Sequence, residues 1–301
     1  MMNSHPKITI IAVCFNQEKW VEETLNSILQ QNYPDIQLII ADDGSTDTSK
    51  QIIRNWIKGN APHTMFIDHE KNMGLTKNIN STLPFIQGDF FQIFGCDDIM
   101  LPHKISWQVK LFEENPSVGV IYSDMQIIDA DGQKRGESYF EKHTYKKPMS
   151  GNIYEELIDR FIISSPSVLI RRNVLDKLKT FNESLDYEDH DFFLRAARDF
   201  SFLYMPEITV LYRVSGFSLS TASSNELKFY KNCFLIYYQR FDHSKKYREK
   251  FIQKLLFYTK KLYSLQYRFC SQYCFQAFFR TGKIIFIKYA IAALPFNFSR
   301  K

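Results

Sequence analysis

The chain has 301 residues, 45% of them hydrophobic and 24% charged, which is long and apolar enough for a sizeable core and excludes a disordered or fibrous polypeptide. Its net charge of +5 hides an asymmetry: residues 222–301 hold 16 Lys and Arg against Glu226, Asp242 and Glu249, a net of +13, leaving 22 bases and 30 acids, a net of −8, in residues 1–221. An acidic front and a basic tail predict two parts, the tail suited to an anionic partner.

Lys7 to Cys14, KITIIAVC, predicts a buried first strand that Phe15-Asn16 ends. Val21, Leu25, Ile28 and Leu29 then fall at i, i+4, i+7 and i+8, an amphipathic helix closing before Asn32-Tyr33-Pro34. In IQLIIADDGSTDTS, Ile36 to Ser49, an apolar strand breaks into Asp42 and Asp43; Gly44 frees the turn, and Thr48 or Ser49 can cap a helix striped by Ile52, Ile53, Trp56 and Ile57. Met65 to Asp68 reads as a third strand. Strand, helix, strand, helix, strand in about seventy residues predicts parallel βαβ winding. Such a sheet binds ligands at the carboxyl ends of its strands, where Asp42 and Asp43 stand, although Asp is also an ordinary turn residue.

Asn72 to Asn78 predicts a turn into a helix that runs through Leu83, where free amides and Lys77 suit a phosphate, or simply solvent. Asp89 to Phe94 is another apolar strand, ending in Gly95-Cys96-Asp97-Asp98 before Pro102 opens a helix. Adjacent buried acids repel and call for a cation or water; hard oxygen ligands suit magnesium or manganese when substrate phosphates complete the shell. Val118 to Ile128 reads as a long strand followed by a hairpin turn at Asp129 to Gly132, and residues 136–152 as a mobile loop. Ile153 to Phe161 reads as a helix, Ser164 to Ser167 as extended chain and Val168 to Arg171 as a strand. Tyr187 to Arg195, YEDHDFFLR, places Glu188 to Asp191 in a helix's first turn, where the dipole favours negative charge and one carboxylate could serve as a general base. His190 reads as a partner of these acids. Ile208 to Arg213 is the last strand, with Arg213 in reach of a diphosphate or merely solvated. The serine-rich stretch Ser215 to Ser224 marks a boundary near residue 221.

In order, IAVCFNQEKWVEETLNSILQQ, LIIADDGSTDTS, NMGLTKN, GCDD and YEDHDFFLR resemble the family 2 glycosyltransferases. That resemblance implies the GT-A fold, an α/β Rossmann-like, mostly parallel sheet flanked by helices, here with a helical C-terminal appendage. It implies a metal-dependent inverting transfer from a nucleoside-diphosphate sugar, most commonly a UDP-sugar, to a saccharide or lipid-linked acceptor in surface polysaccharide or lipopolysaccharide synthesis. Position by position, it places Asp43 at the nucleotide base with Asp42 next to it, and Lys77 near the donor phosphates; Val13, Phe15, Asn16 and Arg213 are further candidates for binding the nucleotide-sugar. Asp98 falls on the Mn2+ or Mg2+ ion and Asp97 on the ion or the ribose. Asp189, with Glu188 beside it, falls on the base that deprotonates the acceptor. Relatives often carry an acid where Gly95 stands and a histidine where Val214-Ser215 stands.

Residues 222–301 are rich in aromatic and cationic residues and read as amphipathic helices; the apolar run after Lys283 is interrupted by Lys288 and Pro295 and is too short to span a bilayer. They suit the surface of an anionic membrane, or a bundle with solvated cations; no nucleic-acid motif is present. Cys14, Cys96, Cys233, Cys270 and Cys274 show no zinc spacing, and no charged region leads into an apolar segment at the start. Reduced thiols and a cytoplasmic chain, peripheral on the inner face of the cell membrane, are therefore expected. Two alternatives remain: a sugar nucleotidyltransferase, against which stands the lack of a glycine-rich basic loop near the amino terminus, and a non-catalytic nucleotide-binding assembly partner.

Overall fold

A computed structural model of the protein describes residues 5–142, 148–161, 163–215 and 226–295. The chain divides into two compact units, Met1–Ser215 and Gly216–Lys301. In the first, the strands are β1 (Ile8–Cys14), β2 (Ile36–Asp42), β3 (Met65–Asp68), β4 (Phe90–Gly95), β5 (Ile99–Met100), β6 (Val118–Ile128), β7 (Lys134–Ser138), β8 (Val168–Arg171) and β9 (Ser201–Arg213). Its helices are α1 (Val21–Leu29), α2 (Ser49–Asn60), α3 (Leu75–Thr82), α4 (Lys104–Glu114), α5 (Tyr139–Lys142), α6 (Tyr154–Asp159), α7 (Arg172–Leu178) and α8 (Asp189–Ala196).

One sheet holds the strands in the order β3, β2, β1, β4, β8, β6, β9, β5, with β7 added on β6. β3, β2, β1 and β4 pair in parallel, as do β6 and β9; the short β8 bridges the two groups antiparallel to β4 and β6. Most of the paired register is therefore parallel, the α/β architecture expected from the strand and helix spacing. β1 is buried at every position, and its alternation sends Ile8, Ile10, Ala12 and Cys14 to one face. There they meet Val21, Leu25 and Ile28 of α1, Ile53 and Trp56 of α2, and Ile105, Val109 and Phe112 of α4. A sheet covered in this way must use strands apolar on both sides, hence the unbroken ITIIAVC and LII runs.

Where expectation and structure differ, local signals were weak. Residues 136–152, read as a loop, contain the end of β7 and all of α5, while residues 143–147 lie outside the described set. Lys134 to Glu137 are exposed and polar, so no periodicity announces that edge strand. β9 begins at Ser201, not Ile208: three exposed residues, Pro206 to Ile208, interrupt its pattern where the pairing with β6 shifts register. Ser165–Ser167 is a 3-10 turn, not extended chain, with Pro166 in its first turn. The two-residue β5 and the two-turn α7 were not anticipated.

The second unit has four helices among its described residues, α9 (Glu226–Gln239), α10 (Arg248–Ser264), α11 (Cys270–Thr281) and α12 (Ile285–Ala292). Phe234, Tyr237, Phe251, Leu255, Leu262 and Phe286 are buried, and Phe234 stacks on Tyr273 with 4.9 Å between ring centroids. Gly282, in the left-handed region at φ 72°, ends α11. No helix among the described residues is long and apolar enough to cross a membrane.

Lys104 is fully buried at the start of α4. Its Nζ donates to Gln92 Oε1 at 2.5 Å, Gln108 Oε1 at 2.8 Å and the Val168 carbonyl at 3.1 Å. Three acceptors match an ammonium's three donors, but none is an acid, and burial pushes the amine well below its usual 10.5. The unfolded chain thus holds this proton more tightly than the folded one, so stability rises as pH climbs from the folded value toward 10.5. Urea unfolding of wild type and Lys104→Met should show the difference between them moving in favour of wild type from about pH 7 to about pH 10. A difference that does not change with pH would show that the amine binds its proton equally in both states.

Candidate active site at the carboxyl edge of the sheet

The register Cys14 to Asp42 and Val13 to Gly95 aligns the ends of β2 and β4 on either side of β1. The Asp43 amide donates to the Cys14 carbonyl at 2.9 Å and the Cys96 amide to the Val13 carbonyl at 3.0 Å. Two pairs of acids therefore leave the sheet as neighbours of one strand, roughly 10 Å apart at two strand spacings.

The first pair is held by hydrogen bonds. Asp42, fully buried, accepts from the Ser45 amide at 2.7 Å and its hydroxyl at 2.6 Å, with Lys50 Nζ at 3.8 Å. Asp43 accepts from the Met73 and Gly74 amides at 2.7 and 2.9 Å, which fixes the entry to α3. Gly44 makes this approach possible: at φ +73°, a Cβ there would lie 2.5 Å from the Asn72 nitrogen and 2.7 Å from the Lys71 Cα. Asn16, itself at φ 53°, completes the cradle; its amide donates to Ser45 Oγ and its Oδ1 accepts from the Thr46 amide. Beside it, Phe15 is exposed at the mouth of the β1 loop.

The second pair is held differently. Asp98 is 2% exposed, and its Oδ1 accepts from the Arg213 amide at 2.8 Å. Burial, with the Asp97 charge adding to it, raises the Asp98 carboxyl well above the usual range, and Arg213 only partly offsets this. Burial raises Asp97 too, against the pull of Arg213 and a hydrogen bond with Gln17. Gly95 leaves the space that Asp97 uses: a Cβ there would stand 2.7 Å from Asp97 Oδ1. Two adjacent carboxylates whose ionisation is opposed by burial form a donor set that fits a hard divalent cation, with the remaining ligands left to a diphosphate. Among the described residues no group of three or more His, Cys, Asp and Glu could hold such an ion by itself.

Arg213, expected near the diphosphate, is 2% exposed and turned to the protein. Nε donates to the Asp97 carbonyl at 2.7 Å, Nη1 to the carbonyls of Asp129 and Ala130 at 3.2 and 3.0 Å, and Nη2 to Glu23 Oε2 at 2.6 Å. At least four of its five donors are engaged. The guanidinium also lies over Trp20, whose Nε1 donates to the Ala130 carbonyl. It therefore clamps the Asp97–Asp98 turn to α1 and to the β6–β7 hairpin.

α8 begins at Asp189, with Glu188 at its cap position. Asp189 Oδ1 accepts from the His190 amide at 2.8 Å. Glu188 is buried, which raises its carboxyl, while a hydrogen bond with the Ser165 side chain acts the other way. Asp191 is bound to Arg195 at 2.9 Å, and the His190 ring lies 4.9 Å from that of Phe161. The loop before α8 is tied to α3: Thr76 Oγ1 donates to the Leu185 carbonyl, and Asn80 bonds both the amide and the carbonyl of Phe181. α3 carries the exposed Lys77 and begins at the amides that Asp43 holds. Sequence reading missed Glu23, Gln17, Ser45 and Ser165 as supports of the site. Only the serine turn after Asp42-Asp43 carried a local signal; Glu23 lies 190 positions from Arg213 and looks like any solvent-facing helix residue.

This sheet, with acids at the carboxyl ends of the two parallel strands that flank β1, defines a GT-A-like fold. Residues 9–179 match the family described as Glycosyl transferase family 2, and the chain belongs to that family. It is 26% identical over 263 residues to the uncharacterised glycosyltransferase MJ1057 of Methanocaldococcus jannaschii, covering 86% of this chain and 87% of that one. An uncharacterised glycosyltransferase of Haemophilus influenzae is 29% identical over 238 residues, 78% of this chain and 89% of its own. Among solved structures, S. aureus TarS 1-349 in complex with UDP-GlcNAc aligns with a TM-score of 0.68 at 20% identity, over 96% of this chain and 88% of that one. The mannosyltransferase PcManGT from Pyrobaculum calidifontis, in complex with GDP-Man and Mn2+, aligns at 0.62 and 13% identity, over 99% and 89%. These similarities establish the fold.

Gly44→Ala tests the cradle, since the substitution forces a strained φ and a clash with backbone. It should cost about 2–3 kcal/mol in urea unfolding and speed hydrogen exchange at Met73 and Gly74. Unchanged stability and exchange would show that the 71–74 loop is not held through this contact.

Proposed function

We propose that the protein transfers a sugar from a nucleoside-diphosphate sugar to a saccharide or lipid-linked acceptor, with inversion at the anomeric carbon. The donor is a UDP-sugar and the cofactor Mn2+ or Mg2+. Residues 1–221 form the catalytic part; residues 222–301 place the chain at an anionic membrane surface, on the cytoplasmic face, where surface polysaccharide or lipopolysaccharide acceptors are built. The observation that carries this reading is the Asp97–Asp98 turn, half-buried at Asp97 and buried at Asp98, beside the Asp42–Asp43 cradle, two acid pairs around one strand end in a family 2 glycosyltransferase.

Val13, Phe15 and Asn16 border the nucleotide; Asp43 meets the base from a position fixed by the 73–74 amides, and Asp42 stiffens the turn beneath it. Lys77 faces the donor phosphates. A divalent ion held by Asp98 and Asp97 would neutralise charge on the departing diphosphate. Arg213 acts on that step through the turn it clamps, not by touching the donor. Asp189 accepts the proton of the acceptor hydroxyl as its oxygen bonds to the anomeric carbon and the bond to the diphosphate oxygen breaks. Glu188, buried behind it, positions the start of α8.

Transfer assays with UDP-sugars and Mn2+ test the whole reading. Asp189→Asn should lower kcat about a thousandfold while donor affinity stays within a few fold; turnover at the wild-type rate would remove Asp189 from the role of base. A separate expectation concerns charge. Because folding raises the Asp98 carboxyl, the folded state binds its proton more tightly than the unfolded one, and metal-free stability falls as pH rises through the window above 3.8. Asp98→Asn, which keeps the acceptor for the Arg213 amide, should raise the metal-free melting temperature at neutral pH and abolish the further rise that Mn2+ gives wild type. Equal Mn2+ stabilisation of both proteins would place the ion elsewhere.

A further inference from the structure

α11 is amphipathic in an inverted sense. Cys270, Cys274, Ala277 and Thr281, at i, i+4, i+7 and i+11, are buried, so its small residues face inward. Phe275 and Phe279 are exposed on the outer face, the latter by 81%. α12 also leaves apolar residues outside: Phe286 and Ala290 are buried, while Ile284 and Ile291 are 68% and 59% exposed with Lys288 on the same face. Leu294, just past α12, lines a groove of about 550 Å3 with Arg268, Phe269, Phe275 and Phe279 of the α11 segment. Of the fifteen large apolar side chains exposed among the described residues, nine lie beyond residue 226 and six of these in 269–291. Clustering of this kind marks an interaction surface, not scattered surface apolarity.

Charge decides what the surface meets. Residues 250–301 contain no Asp or Glu, and Arg268, Arg280 and Lys288 are interspersed in sequence with the exposed apolar residues, while Lys283 pairs with Glu249 at 3.7 Å. A second copy meeting this face with its own would oppose cation to cation. An apolar strip edged by cations, with no acid in its own two helices, matches the boundary between headgroups and acyl chains of an anionic bilayer. We propose that the outer face of α11 and α12 is a docking surface for an anionic lipid bilayer, with Phe275, Phe279, Ile284 and Ile291 entering the boundary and Arg268 and Lys288 meeting lipid phosphates. This deepens the membrane association proposed above and rests on it.

The test is sedimentation of the full chain with phosphatidylcholine vesicles, with and without phosphatidylglycerol, comparing wild type with the double variant Phe279→Glu, Ile291→Glu. Wild type should partition at least tenfold more strongly onto the anionic vesicles, with salt weakening it, and the variant should lose roughly tenfold or more while its melting temperature and circular dichroism stay unchanged. Lys288→Glu should weaken anionic binding alone. If wild type binds and the double variant binds equally well, this face is not the docking surface, although the membrane association stands. If wild type binds neither vesicle, the membrane association falls with it. Self-association in sedimentation velocity that the variant abolishes, without vesicle binding, would assign the face to a second copy and overturn the proposal.

Discussion

Four carboxylates brought to the ends of two strands that flank a third must be reconciled with their own repulsion and with the loss of water, and the local architecture follows from how that is done. Asp42 and Asp43 are satisfied from within: the hydroxyl and amide of Ser45 and the amides of Met73 and Gly74 supply the donors. Asp97 and Asp98 are supplied less fully, with the amides of Asp97 and Arg213, one nearby guanidinium and a glutamine. One pair is satisfied within its own turn and the next loop; the other keeps a deficit of positive charge at the carboxyl edge of the sheet. Similar dipeptides thus do different work because their neighbours differ.

The supports join into two chains of contact. From Asp43 a path runs through the 73–74 amides into α3, and from Thr76 and Asn80 to the segment that leads into α8. From Asp98 another runs through Arg213 to Glu23 of α1 and to the carbonyls at Asp129 and Ala130. Each crosses more than a hundred positions of sequence, so the carboxylates are placed by tertiary structure more than by their own loops. The cation over Trp20 shows the same economy, since one guanidinium holds three separate segments.

The first half of the sheet was legible because its strands are dominated by apolar runs, with single polar residues such as Thr9 and Gln92 inside them, and its helices repeat at regular spacing. The bounds of β2 at Ile36, of β3 at Met65–Asp68 and of β6 at Val118–Ile128 are those the residues suggest. The later half was harder: β7 is polar, β9 is broken by Pro206, and the register between β6 and β9 shifts three times, so alternation fails as a guide. At the site the acids themselves announced their strand ends. Arg213 did not disclose its orientation, because an arginine closing a strand has the same local pattern whether its head points to solvent or to Glu23. Nor does any local pattern show that α11 turns its phenylalanines outward, since the same residues facing inward would give the same helical spacing.

Gly95 closes β4 with no side chain of its own. In the folded chain it is also a vacancy that has been filled, because the Asp97 carboxylate leans into the volume that a side chain at 95 would claim. A side chain placed at 95 would thus share the turn only if the Asp97 carboxylate swung to another rotamer, so crowding couples the two positions.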